Sequence, residues 1–124
     1  MDKQFDIVVA GHLCLDIFPD ISHFPQDKFL ERLQPGKLLQ IGEAAFSTGG
    51  QVSNTGQALH QLGINVRLMG KIGHDLFGTI IRQKINQRDP LLTEGLIQSK
   101  DGGTSYTIIL DPPGIDRIFL HHPG

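Results

Sequence analysis

The chain lacks most of the features that would place it in a large functional class at sight. It has one cysteine, Cys14, among 124 residues, which excludes an internal disulfide framework and is compatible with a reducing cytosol. No stretch approaches the roughly 18 apolar residues of a membrane helix. The N-terminus, MDKQFDIVVAGHLCLDIF, has neither the basic start nor the small-residue cleavage site of a signal peptide. Blocks of like charge are missing. With 11 Lys and Arg against 13 Asp and Glu, the net charge is -2, so neither nucleic acid nor a membrane surface is an expected partner. These absences together predict a soluble, cytoplasmic chain.

Local signatures for phosphate, dinucleotide and metal are absent too. GxxxxGK[ST] fails because Gly70-Lys71 is followed by Ile72 and Gly36-Lys37 by Leu38, and there is no GxGxxG. His12, His23, His60, His74, His121 and His122 form neither HExxH nor a zinc spacing with the single cysteine. No metal site is expected, and His121-His122 reads as a strand end. Cys14 has no evident histidine partner and reads as a small buried hydrophobe.

What is present suits one domain that buries roughly two thirds of its unfolded surface. Phe5–Gly11 is a continuous β-branched run, which predicts a strand buried on both faces. Leu13–Phe18 predicts a second strand, and Lys28–Leu33 a short helical piece between prolines. Gly36–Phe46 predicts a further strand. Val52, Gly56, Leu59 and Leu62 lie four and three apart, which is one helix face, and Gly63 stands where a left-handed cap belongs. Asn65–Gly70 reads as a strand. Asp75 is placed to cap a second helix that pairs Leu76 with Ile80 and Phe77 with Ile81 and Ile85. Alternating strand and helix predict a parallel α/β sheet. In the tail, Thr104–Leu110 and Asp116–His121 predict a hairpin around a tight Asp111–Gly114 turn, with Ser105, Thr107 and Ile109 on one side and Tyr106, Ile108 and Leu110 on the other. The chain ends just after that strand and reads as an interrupted fold.

Three features carry possible chemistry. Asp16 in its apolar run is either a solvent-facing strand residue or a ligand-facing carboxylate. Gly49-Gly50 is a turn or a place of close backbone approach. Asn54 is a local cap or a side-chain amide turned to a ligand. Together they suit a polyol. A carboxylate accepts from hydroxyls, an amide offers donor and acceptor, and glycines admit the ring.

The run STGGQVSNTGQALHQLGINVRLMGKIGHDLFG resembles the N-terminal signature of the PfkB, or ribokinase-like, carbohydrate kinases. The matching pieces are Gly49-Gly50, Asn54, Gly63, Gly70 and the GxDxxG of Gly73, Asp75 and Gly78. Gly11 followed by Asp16, and the closing TSYTIILDPPGIDRIFLHHPG, extend the likeness over essentially the whole chain. The resemblance implies a Rossmann-like α/β body with a small β lid, incomplete at the C-terminus. Its lid strands would lie near 12–18, 37–46, 104–110 and 116–121. It implies ATP- and Mg²⁺-dependent phosphorylation of a sugar or nucleoside hydroxymethyl group. Asp16, Gly50 and Asn54 would hold hydroxyls, with Gly49 and Gln51 nearby and Tyr106 and Arg117 contributing from the hairpin. Ribokinase-type members carry Asn and Lys where this chain has Cys14 and Gln51, a departure that bears on ribose as the acceptor. The family's catalytic base lies in a GAGD-type run that does not occur here, so the base and ATP site are expected beyond Gly124. On this reading residues 1–124 are a sugar-recognising fragment, inactive alone. The other reading is a non-catalytic sugar-binding module, and either reading allows a homodimer through the lid.

Overall fold

The structure, a computed structural model, describes residues 4–124. Strand β1 (Ile7–Ala10) is followed by β2 (Cys14–Pro19), a single helical turn α1 (Phe29–Arg32) and β3 (Ala44–Gly49). Helix α2 (Gly50–Gln61) leads into β4 (Val66–Met69) and β5 (Lys71–Gly73), which only Gly70 separates. Helix α3 (Leu76–Arg88), a 3₁₀ turn at Pro90–Thr93, β6 (Ile97–Ser99), β7 (Tyr106–Leu110) and β8 (Ile118–His122) complete the chain.

Two parallel pairs, β1 with β4 and β5 with β6, make the α/β body. The other four strands form one sheet in the order β3-β2-β7-β8, antiparallel at both outer pairs and parallel between β2 and β7. One apolar core joins body and sheet: Leu13 and Leu15 from the β2 segment, Val52 from α2, Val66 and Leu68 from β4, Ile72 from β5, Ile81 and Ile85 from α3, and Leu92. Because Leu15 and Ile17 point into that core, the alternate residues Cys14 and Asp16 must face the other side of the sheet. That parity positions the candidate site.

Local signals read from the sequence act as expected at both helix ends. Gly63 is left-handed at φ 82°, and Asp75 caps α3 by accepting from the Gly78 amide at 2.9 Å. Among the described residues no helix is long and apolar enough to cross a membrane.

Several expectations are corrected. The strand expected over 37–46 instead spans Ala44–Gly49. Its ladder begins where Pro19 faces Ala44, and beyond that β2 ends in a turn closed by the Asp20 carboxylate and Ser22, so residues 37–41 have no strand to pair with. Strand β1 is not buried on both faces: Val8 is 51% exposed, since β4 is its one paired neighbour among the described residues. Leu62 and Leu76, placed on buried faces by periodicity, sit at helix termini and are exposed. The hairpin turns through residues 111–117 rather than four, because the ladder opens at Leu110 opposite Ile118. The pairing of β5 with β6 was not foreseen, for three-residue strands carry too little periodicity to read.

Candidate functional site

Asp16 sits at the centre of the four-stranded sheet. It stands directly opposite Ser47 on β3 and Thr107 on β7, and Thr107 in turn faces His121 on β8. Residues directly opposed in a ladder share a face, so Ser47, Asp16, Thr107 and His121 form one polar row across all four strands. The next row begins with Cys14 opposite Gly49. The Cys14 thiol, buried, donates to Asp16 Oδ1 at 3.3 Å. Burial first, then the Asp16 charge and that hydrogen bond, push its pKa up to about 12. Cys14 is therefore a protonated donor, and so more than the inert filler its apolar setting suggests.

The glycine pair is not a loop. Gly49 ends β3 and Gly50 begins α2, with no residue between. A Cβ on Gly49 would lie 2.7 Å from Asp16 Oδ1 and would overlap the rest of the carboxylate. The absence of a side chain there makes the room that Asp16 occupies. Gly50 has φ +85°, and a Cβ on it would meet the His12 carbonyl oxygen at 2.5 Å. The same carbonyl accepts from the Val52 amide at 3.1 Å, fastening the segment before β2 to the first turn of α2. Gln51 is exposed, with its amide oxygen beside Gly11.

The seven residues singled out from sequence divide into two groups. Asp16, Gly49, Gly50 and Gln51 gather where β2, β3 and the start of α2 meet. Asn54 stands beside them, exposed one turn into α2, lining a cavity of about 230 Å³ with Ser47, Thr48, Ser53, Gln57 and Arg88. Ser47 links the two places, since it also faces Asp16 across the ladder. Tyr106 does not join this group. It pairs with Leu15, so it points to the core side, with its ring 5.0 Å from Phe77 and 5.6 Å from His122. Arg117 lies outside β8, exposed and paired with Asp111 at 3.2 Å. It is about four residues, or roughly 13 Å, along the strands from the Asp16 row.

Four residues of the same face were missed. His12 and His121 bring their rings to 5.5 Å, edge to face. Thr107 Oγ1 is 2.9 Å from His121 Nδ1, and Ser105 Oγ is 3.4 Å from His12 Nε2. The hairpin alternation already put Ser105 and Thr107 on one side. What it lacked was the strand pairing that joins that side to Asp16.

A second carboxylate, Asp75, has a different surrounding. It accepts from the Thr104 hydroxyl at 2.5 Å, the Thr104 amide at 2.8 Å and the Gly78 amide. The Thr104 hydroxyl also accepts from the Gly73 amide at 2.8 Å. Burial works to raise the Asp75 pKa, but those hydrogen bonds outweigh it and hold the group below the usual carboxylate value. This GxDxxG segment ties the start of α3 to the approach of β7. It builds the frame at the start of α3.

Comparison with known proteins follows the same outline. A family model described as pfkB family carbohydrate kinase matches residues 6–124. A nucleoside kinase from Methanocaldococcus jannaschii is 30% identical over 73 residues, which are 59% of this chain and 22% of the relative. A solved ribokinase from Thermotoga maritima superposes with TM-score 0.70 at 21% identity, covering 96% of this chain and 36% of its own. An Arabidopsis thaliana ribokinase solved with ribose and ATP gives TM-score 0.73 at 15% identity, covering 97% and 36%. The chain thus spans about a fifth of the curated relative's length and about a third of the solved kinases' length.

Proposed function

The chain belongs to the pfkB family of carbohydrate kinases, and we propose that it forms the acceptor-binding side of a kinase that phosphorylates a hydroxymethyl group of a sugar or nucleoside with ATP. The observation that carries this reading is the Asp16 carboxylate seated in the space Gly49 leaves open. Cys14 occupies one lone pair of Oδ1, which leaves acceptor capacity for the hydroxyls of a polyol. Charge-assisted hydrogen bonds of that kind are each worth roughly 1.5–3 kcal/mol. Gly50 and Gln51 line the approach, and Asn54 supplies an amide from α2. The four-stranded sheet serves as the lid. The nucleoside kinase relative keeps nucleosides beside sugars as the acceptor class.

Phosphoryl transfer also needs a base, a γ-phosphate cradle and a metal. ATP and Mg²⁺ belong to the proposed reaction, but the described residues gather no cluster of three metal-ligating side chains. They do not fit the metal, and no transfer step is assigned to them.

The test is acceptor-dependent ADP release by the full-length protein on D-ribose, D-fructose, adenosine and 2-keto-3-deoxygluconate, repeated with Asp16→Asn. One acceptor should be turned over, and the substitution should lower kcat/KM for it about ten- to hundredfold, with the KM for ATP unchanged. Equal loss toward both substrates would refute the assignment.

Exposed Phe119 and Leu120 on the outermost strand β8 favour one further reading, pairing of two copies through this sheet. Sedimentation equilibrium of the wild type against Phe119→Ser checks it. A dimer that weakens with the substitution is expected, and a monomer in both would exclude it.

A further inference from the structure

We infer that His121 is a specificity-determining residue of the acceptor site, hydrogen-bonding the side of the acceptor that faces away from Asp16. The inference rests on the acceptor-binding reading of Asp16 and extends it to residues that reading does not use. His121 is in the same row as Asp16, two strands away through Thr107. With neighbouring strands about 4.8 Å apart, their Cα atoms stand roughly 10 Å apart. Both side chains rise from one face, with the Thr107 side chain between them, so an acceptor lying over Thr107 could reach Asp16 on one side and His121 on the other.

The imidazole is held for this use. Thr107 Oγ1 lies 2.9 Å from Nδ1, so the threonine holds the ring in place through Nδ1 whichever of the two carries the proton. The His12 ring packs against it in a T-shaped contact at 5.5 Å. Nε2 of His121 makes no hydrogen bond among the described residues and the side chain is exposed. One nitrogen is thus engaged with protein and the other is presented on the face that carries Asp16. Thr107, wedged between the two, is a positioning residue: it stands next to Asp16 in the ladder and orients His121.

A site that hydrogen-bonds a substrate hydroxyl discriminates against an acceptor that lacks it, because once the acceptor covers Nε2 that nitrogen is left without water or partner. The experiment uses the full-length protein with the four acceptors named above, following ADP release. His121→Leu should raise KM for the preferred acceptor at least tenfold and leave the KM for ATP within twofold. His121→Gln, whose amide nitrogen can stand near Nε2, should recover most of that loss. Thr107→Val should raise KM in the same direction by a smaller factor at unchanged kcat. Melting midpoints within a few degrees of wild type establish that each variant is folded. An acceptor KM within twofold in His121→Leu, equal rises for acceptor and ATP, or no recovery in His121→Gln overturns the inference. Wild-type protein that releases no ADP with any of the four overturns the kinase reading itself, and the inference with it.

Discussion

The carboxylate of Asp16 lies over Gly49, diagonally across the ladder between β2 and β3, in the volume that any side chain at position 49 would fill. The pair explains why a glycine ends a strand here. Its value is the space it frees, since φ at Gly49 is -130°, an angle open to every residue.

Gly49→Ala therefore tests the site rather than the backbone. The methyl group must displace Asp16, and the acceptor KM should rise at least tenfold in steady-state assays. The melting midpoint should fall only modestly, since Asp16 is half-buried and can swing outward. A variant with unaltered acceptor KM would show that this carboxylate does not touch the acceptor.

Asn54→Ala should weaken acceptor binding while leaving ATP affinity intact, as judged by titration calorimetry of each ligand. The side chain is exposed at the rim of its cavity, so little stability is at stake. Surface substitutions of this kind fall within about 0.5 kcal/mol.

Cys14 should resist alkylation. With its pKa pushed up to about 12, almost no thiolate exists at pH 8. Native protein should leave iodoacetamide unreacted on the hour scale, whereas urea-unfolded protein reacts at the rate of a free thiol. The linkage runs in the same sense. A folded pKa above the unfolded value of 9.0 means that stability is fully present below pH 9 and is lost as the pH climbs toward 12. Cys14→Ala should flatten that alkaline decline in denaturant midpoints measured from pH 8 to 11.

Asp75→Ala removes the α3 cap and the tie to Thr104 together. Loss of a cap alone costs about 0.5–2 kcal/mol, and the unpaired Thr104 amide adds to it. A drop in melting temperature of roughly 5–10 °C is expected for a chain of this size. Because the folded pKa of Asp75 is depressed, its contribution is present at neutral pH and fades as the pH falls below the ordinary carboxylate value of 3.8. The wild type should lose its advantage over the variant in that acid range, and a constant difference down to pH 2 would contradict this.

Much of the frame was legible because it is local. Glycine at 63 and aspartate at 75 act through their own turns, so a reader of the chain can place both helix ends without knowing the fold. The apolar alternation of Leu13, Leu15 and Ile17 likewise puts Cys14 and Asp16 on the opposite face, whatever packs against either. The strand read at 37–46 failed for the complementary reason. Pairing is decided by the partner, and β2 ends at Pro19.

The candidate site shows the same division. The sequence by itself determined the residue types that a polyol needs, and their family signature placed Asp16, Gly49, Gly50, Gln51 and Asn54 together. It also proposed Tyr106 and Arg117, because both lie on the hairpin and both have suitable chemistry. Only the tertiary structure decided which face each occupies. Parallel pairing of Leu15 with Tyr106 turns the tyrosine to the core and brings Thr107 beside Asp16. Antiparallel pairing with β8 then adds His121 to the row. A one-residue shift in the β2–β7 register would exchange the two faces, and that register joins Leu15 to Tyr106 across most of the chain, which no local pattern records.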